Sequence, residues 1–277
     1  MTWTIPDAPS ALPPQGAPLA DRQSRFRGVR VDAPTAWVAG RTTGSRATDM
    51  KYRAFIFDMD GTMIDSMGYH RLSWIEFARR RGLDVDVDDL MRRTTGRTGA
   101  ECMNDLFQRE FDDAESWALI DEKERIYREL FAPEFREVAG FRAFAARAHA
   151  HGLALGIGTA GDRHNIAFAM QHLAMTPVPK AIIGGDEGLA GKPEPAIFLE
   201  VARRLGVAPA DCVVFEDAPF GIEAARRAGM AAVAVCSTHA AHELAGPHVL
   251  AAIDHYEDAA AAAVLKTMTA PETHHAA

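Results

Sequence analysis

The sequence predicts an α/β fold, a Rossmann-like parallel sheet core carrying an inserted all-helical cap domain. Three observations carry that prediction. From Tyr52 onward, short apolar runs alternate with stretches of helical periodicity, the pattern of a parallel sheet covered by helices. The runs are continuously apolar, as strands buried on both faces require. One long interval, residues 59–151, breaks the alternation and shows helical patterns only.

Taken in chain order, residues 1–49 come first. "TIPDAPSALPPQGAPLADRQ" is rich in Pro and Ala, and neither it nor "GRTTGSRATD" carries a helical or alternating period, so a disordered N-terminal extension is expected. Met50 stands directly before the first strand and is an alternative start. The predicted strands are "RAFIFD", "GLALGIG", "KAIIGG", "DCVVFED" and "MAAVAVC". Helices follow the later ones: "DRHNIAFAMQHLA", "PEPAIFLEVARRLG" with Pro in its first turn, and "FGIEAARRAG" ending at Gly229. Between the first and second strands, Met67, His70, Trp74 and Phe77 share a helical face. So do Met103, Leu106 and Phe107, and later Trp117, Ile120, Tyr127 and Leu130. The expected organisation is therefore a core domain over 50–66 and 138–265, a helical cap over 67–137, and a disordered tail over 266–277. "EDAAAAAVLKTM" reads as a last helix closing the sheet, and the paired histidines of "PETHHAA" as a frayed tail.

Bulk composition narrows the function classes. With 277 residues and 48% hydrophobic content the chain can bury a substantial core. A net charge of −8 disfavours nucleic-acid or anionic-membrane partners. Cys102, Cys212 and Cys236 form neither a disulfide framework nor a metal-ligand spacing, which suits free thiols in a reducing cytoplasm. No apolar stretch approaches the ~18 residues of a membrane span, and no secretory signal is read at the N-terminus. A cytoplasmic monomer is expected.

The chemistry gathers where the strands end. In a parallel sheet, ligands bind beyond the carboxyl ends of the strands, at the point where strand order reverses. "AFIFDMDGTMIDS" ends its apolar run in Asp58 and Asp60, "GTAG" carries Thr159 and Ala160, "GLAGKPEPAIF" carries Lys192, and the fourth strand ends in Glu216 and Asp217. Closely spaced carboxylates repel and are costly to desolvate unless a cation accompanies them. Asp58, Asp60, Glu216 and Asp217 are hard oxygen ligands suited to Mg²⁺, while Lys192, Thr159 and backbone N–H groups suit a phosphate. Two other readings fit worse. An EF-hand needs its glycine later and further acidic positions that Thr62 does not supply. "GIGTAG", with Asp186 downstream, matches a dinucleotide fingerprint, but it sits on the second strand and leaves the acidic motifs without a role.

With these motifs in place, the chain from about Lys51 to Thr238 resembles the haloacid dehalogenase-like superfamily: "DMDGTMIDS", "GTA", "GKPEPAIF" and "FEDAPFGIEAARRAGM" look like its four motifs. The helical insert, with "DSMGYHRLSW", resembles the small cap of the β-phosphoglucomutase and sugar-phosphatase subfamily. The resemblance implies a Mg²⁺-dependent phosphatase acting on small phosphorylated metabolites, sugar phosphates foremost. Asp58 would be the nucleophile, Asp60 the acid and base, and Thr159, Ala160 and Lys192 the phosphate holders. Mg²⁺ would sit on the Asp58 carboxylate, the Asp60 carbonyl and Asp217, supported by Glu216. His70 and Arg97 are the polar cap candidates for substrate contact. The alternative is a sugar-phosphate mutase on the same scaffold. Mutases of the subfamily carry an arginine and a lysine where this chain has Gly99 and Asp162, a departure that favours hydrolysis.

Overall fold

A computed structural model describes residues 51–269. The extension expected over 1–49, the alternative start at Met50 and the histidines of "PETHHAA" lie outside the described residues. Six strands form one parallel sheet: β1 (Ala54–Phe57), β2 (Ala154–Gly158), β3 (Ala181–Ile183), β4 (Cys212–Glu216), β5 (Ala231–Val235) and β6 (Val249–Ile253). Their order is β3-β2-β1-β4-β5-β6. The sequence reading yields only the first five. β6, "VLAAI", is an edge strand whose residues alternate between half-buried and exposed before Ile253, so it is apolar throughout but lacks the burial on both faces of β1 and β4.

Period-two alternation splits the core in two. Phe55 and Phe57 of β1, with Val213 and Phe215 of β4, point to one face. There they meet Phe141 and Phe144 of α5 (Phe141–Ala150), α6 (Arg163–Leu173) and α9 (Ala259–Thr269). Ala54, Ile56, Cys212 and Val214 point to the other face, against Ile197 and Phe198 of α7 (Ala196–Leu205) and Ile222 of α8 (Pro219–Arg227). Burying each such Phe or Ile contributes about 1.5–3 kcal/mol. Helix α9 runs to Thr269, one residue past the "EDAAAAAVLKTM" read as the last helix, so residues 266–269 of the expected tail are helical.

The residues between β1 and β2 that precede α5 form α1 (Met67–Arg81), α2 (Val87–Thr94), α3 (Gly99–Phe107), α4 (Asp113–Phe131) and a short 3-10 turn. Side-chain caps set three of their starts: Asp86 accepts from Asp89 N, Asp112 accepts from Glu115 N, and Thr98 and Glu101 form a capping box. These helices have a core of their own, including Trp74, Phe77, Leu90, Met103 and Ile126. On α4 the buried face is Ser116, Leu119, Ile120, Lys123, Ile126, Tyr127 and Phe131. The face read from the sequence is therefore rotated: Trp117 and Leu130 are exposed, and a lysine occupies the apolar phase. The two connections to the sheet run antiparallel, with Asp65 N donating to Arg136 O (3.1 Å) and Val138 N to Met63 O (3.0 Å).

Candidate active site

Strand order reverses around β1 and β4, and there Asp58 leaves β1 beside Glu216 and Asp217 at the end of β4. The three carboxylates offer oxygens within 4.8 Å of one another, and all are buried. Lys192 reaches them from the loop before α7. Its Nζ, 1% exposed, donates to Asp58 Oδ1 (2.5 Å) and Glu216 Oε1 (2.7 Å). Glu216 Oε2 accepts from Ala218 N at 2.8 Å, so both its oxygens are engaged by the protein. Gly221 makes room for this arrangement, because a Cβ there would lie 1.8 Å from Glu216 Oε1.

One ammonium does not balance three buried carboxylates. Burial, opposed by Lys192 and reinforced by Glu216 and Asp217, pushes the Asp58 carboxyl well above its usual range. Burial and then the charge of Glu216 push Asp217 up to about 8. Burial works against the Lys192 charge, yet Asp58 and Glu216 hold its pKa above the ordinary value. The residual negative charge and the all-oxygen donor set fit a hard divalent cation such as Mg²⁺, with Asp58 and Asp217 best placed to hold it.

Asp217 is fixed from several sides. Thr62 Oγ1 donates to its Oδ1 (3.2 Å), Thr238 Oγ1 donates to its Oδ2, and the His239 ring lies 2.9 Å from its main-chain carbonyl. Gly61 adopts φ 80°, and a Cβ there would lie 2.2 Å from Asp217 Oδ2. Only glycine satisfies both the turn and the approach. Directly after β2, Thr159 is buried, and its Oγ1 accepts from Gly161 N (3.0 Å), leaving its hydroxyl proton free for an incoming oxygen. Ala160 lines the same cavity.

Asp60 lies outside the carboxylate trio. Its Oδ1 accepts from Ser66 Oγ (2.7 Å) and Tyr127 OH (3.3 Å), and His70 Nε2 lies 3.1 Å away. Lys123 Nζ, which can only donate, lies 2.8 Å from His70 Nδ1. Nδ1 is therefore the acceptor, and the ring proton sits on Nε2, donated to Asp60. Burial would raise the Asp60 pKa, but His70, Ser66 and Lys123 together bring it below its usual value. Lys123 also pairs with Glu124 (2.9 Å), whose Oε2 accepts from Asn165 Nδ2 (2.7 Å). Helix α4 thus meets the core through an unbroken polar chain.

These groups line one cavity of about 570 Å³ between the cap helices and the sheet. Every candidate from the sequence except Lys192, which lies behind Asp58, is among its lining residues. Arg97 stands with its guanidinium 5.7 Å from the Phe220 ring centroid. Asp162 is the N-cap of α6, accepting from His164 N and Asn165 N at 2.9 Å each, so its carboxylate is committed to the helix. Sequence reasoning missed Ser66, Lys123, Glu124 and Asn165. The signal for Lys123 was present: it follows Ile120 by three positions and precedes Tyr127 by four, in phase with the buried face.

Sequence and structure comparisons show what the chain is similar to. A fructose-1-phosphate phosphatase of Escherichia coli is 34% identical over 188 residues, 67% of this chain and 97% of that protein. A β-phosphoglucomutase of Bacillus subtilis is 31% identical over 191 residues, 66% of this chain and 83% of its own. Among solved structures, a β-phosphoglucomutase from Clostridium difficile superposes with a TM-score of 0.68 at 24% identity, covering 78% of this chain and 97% of that one, which speaks for the fold. A family model for haloacid dehalogenase-like hydrolases matches residues 52–229, and the chain belongs to that family.

Proposed function

We propose that this protein is a Mg²⁺-dependent phosphatase of small phosphorylated metabolites, sugar phosphates foremost, working through an aspartyl-phosphate. The observation that carries the reading is the buried Asp58–Lys192–Glu216–Asp217 cluster at a cavity of sugar-phosphate size, with Asp60 among the lining residues. Asp58 attacks phosphorus, the bond to the leaving oxygen breaks, and that oxygen takes its proton from Asp60. Asp60 must enter the step protonated, although Ser66, His70 and Tyr127 at Oδ1 favour its ionised form in the free protein. In the second step water attacks the aspartyl-phosphate while Asp60 takes the water's proton, which restores both carboxyls. Thr159 and the backbone after it hold the phosphoryl oxygens as charge shifts during transfer, while Lys192, expected from the sequence to touch phosphate, instead offsets that charge through Asp58 and Glu216. The Asp58 and Asp217 carboxylates and the Asp60 carbonyl would hold Mg²⁺, which would supply charge neutralisation when bound.

Hydrolysis fits the cavity better than isomerisation. A mutase must hold a second phosphate at the far end of its substrate, which calls for cations there. Besides the Asp58 cluster and Asp60, Glu101, Asp113, Glu124, Asp162 and Asp186 line the cavity, against Lys123 and Arg97. Lys123 is engaged by His70 and Glu124. Gly99 and Asp162 add no positive charge at the positions where mutases carry it. The test is to supply β-glucose 1-phosphate with catalytic bisphosphate and Mg²⁺ and to follow glucose 6-phosphate against free phosphate. Phosphate release should dominate, and isomerisation much faster than release would reverse the reading.

A further inference from the structure

β5 pairs with β4 in parallel, Glu216 opposite Ala234, so the chain leaving β5 passes beside Asp217. After Cys236 it carries Ser237, Thr238 and His239, the first two exposed and the third half-buried. Surface side chains of this kind commonly bond to water. Here all three bond instead to the two loops that carry the expected cation ligands. Ser237 Oγ donates to Gly61 O, Thr238 Oγ1 donates to Asp217 Oδ2, and His239 Nδ1 lies 2.9 Å from Asp217 O. The cavity lining includes none of the three, so they act only through the residues they hold.

The protons can be placed. Asp217 O only accepts, so His239 Nδ1 carries the ring proton and gives it there. Thr238 Oγ1 lies 3.0 Å from both that carbonyl and His239 Nδ1. With the carbonyl served by the ring and Nδ1 a donor, the one hydroxyl proton goes to Asp217 Oδ2. Thr62 Oγ1 serves the other oxygen, Oδ1, at 3.2 Å. A carboxylate has about four acceptor positions, so one hydroxyl on each oxygen fixes the group and still leaves room for a cation. Ser237 acts on the neighbouring loop. Gly61 N donates to Ile64 O (2.8 Å) and Ser237 holds Gly61 O, so the peptide joining Asp60 to Gly61 is tied on both sides.

We propose that Ser237, Thr238 and His239 are positioning residues, a strap from β5 that holds the Asp217 carboxylate and the Asp60–Gly61 peptide ready for a divalent cation. Within the strap, the Thr238 hydroxyl sets how tightly the cation is bound. Partners of this kind orient a metal ligand without touching the metal, and losing one lowers affinity about 10- to 100-fold.

The proposal rests on the Mg²⁺ reading, and its test separates the two. Mg²⁺ is titrated by calorimetry into the full-length, metal-free protein without substrate, for wild type, Thr238→Val, Thr238→Ala and Thr238→Ser. Valine keeps the shape and removes the hydroxyl, alanine guards against a packing fault of the valine, and serine restores the hydroxyl. The Kd for Mg²⁺ should rise about 10- to 100-fold in the valine and alanine variants and stay within about threefold of wild type in the serine variant. The metal-free melting temperature should stay near that of wild type, because Thr238 is exposed and water can satisfy the carboxylate without fixing its direction. Equal Mg²⁺ binding by wild type and both hydroxyl-free variants, a serine variant as weak as alanine, or a lowered metal-free melting temperature with an unchanged Kd would overturn the strap and leave the Mg²⁺ reading standing. No Mg²⁺ binding by wild type would overturn the Mg²⁺ reading, and the strap with it.

Discussion

The floor of the cavity and its cap wall reach the substrate by different structural routes. Asp58, Thr159 and the Glu216–Asp217 pair stand where parallel strands stop, and Lys192 stands in a Gly–Pro loop opening a helix. Their positions follow from the sheet, and their charges are locked together in a buried cluster. His70 and Lys123 stand on helical faces, where one residue of rotation decides between cavity and solvent. In the proposed reaction the floor would handle the phosphoryl group, and the cap wall would meet the group it is attached to.

Substitutions on the two sides should separate by size and by kind. The largest effect belongs to Asp58→Asn: turnover of sugar and aryl phosphates alike should fall by roughly 10³-fold or more, with the melting temperature retained, because the amide is nearly isosteric but cannot attack phosphorus. Activity above a few per cent of wild type would remove Asp58 from the floor chemistry. Next comes Lys192→Met, which leaves Asp58 and Glu216 buried without their cation. Loss of one partner of such a cluster costs about 3–5 kcal/mol, so urea unfolding should show a large drop together with lost activity. A variant as stable as wild type would mean the carboxylates are not charged in the folded state.

On the cap side, His70→Ala should lower kcat about 10- to 100-fold while changing stability little, since it removes the donor that holds Asp60 in place. An effect on KM alone would make His70 a binding group only.

Between these lies an effect of pH on the metal-free protein. Asp217 is raised to about 8 by burial and Glu216, and Asp58 is raised in the same direction. A carboxyl whose folded pKa lies above its unfolded value of about 4 contributes stability that is present below that value and lost as pH rises through the folded pKa. Without metal, the melting temperature should therefore decline as pH rises from about 5 to 8. Saturating Mg²⁺ should reverse the decline, restoring on the order of 2.7 kcal/mol at a hundredfold excess over its Kd. Because binding competes with protons, the Mg²⁺ shift should be greater at pH 8 than at pH 6. Equal shifts at both would argue against the carboxylate trio as the metal's seat.

The same contrast explains what the sequence made legible. Strand ends are marked by apolar runs that stop abruptly in charged residues, so Asp58, Thr159, Lys192, Glu216 and Asp217 were readable one motif at a time. β6 was not, because a short apolar run such as "VLAAI" cannot be told from a helix segment by periodicity, and an edge strand buries only part of its surface. Lys123 and Glu124 sit in "DEKERIYREL", which reads as a solvated face until the buried phase of α4 is known. Asp162 was legible as a charge but not as a helix cap, a role that shows only once the start of α6 is placed.

The central claim is that phosphate passes through Asp58, and chemical trapping tests it most directly. The protein is mixed with Mg²⁺ and substrate, quenched in acid within one turnover, treated with borohydride, digested and sequenced by mass spectrometry. An aspartyl-phosphate is reduced to the alcohol, so homoserine should be found at position 58 in wild type and be absent from Asp58→Asn. Turnover with an unmodified Asp58, or homoserine at another carboxylate, would contradict the account.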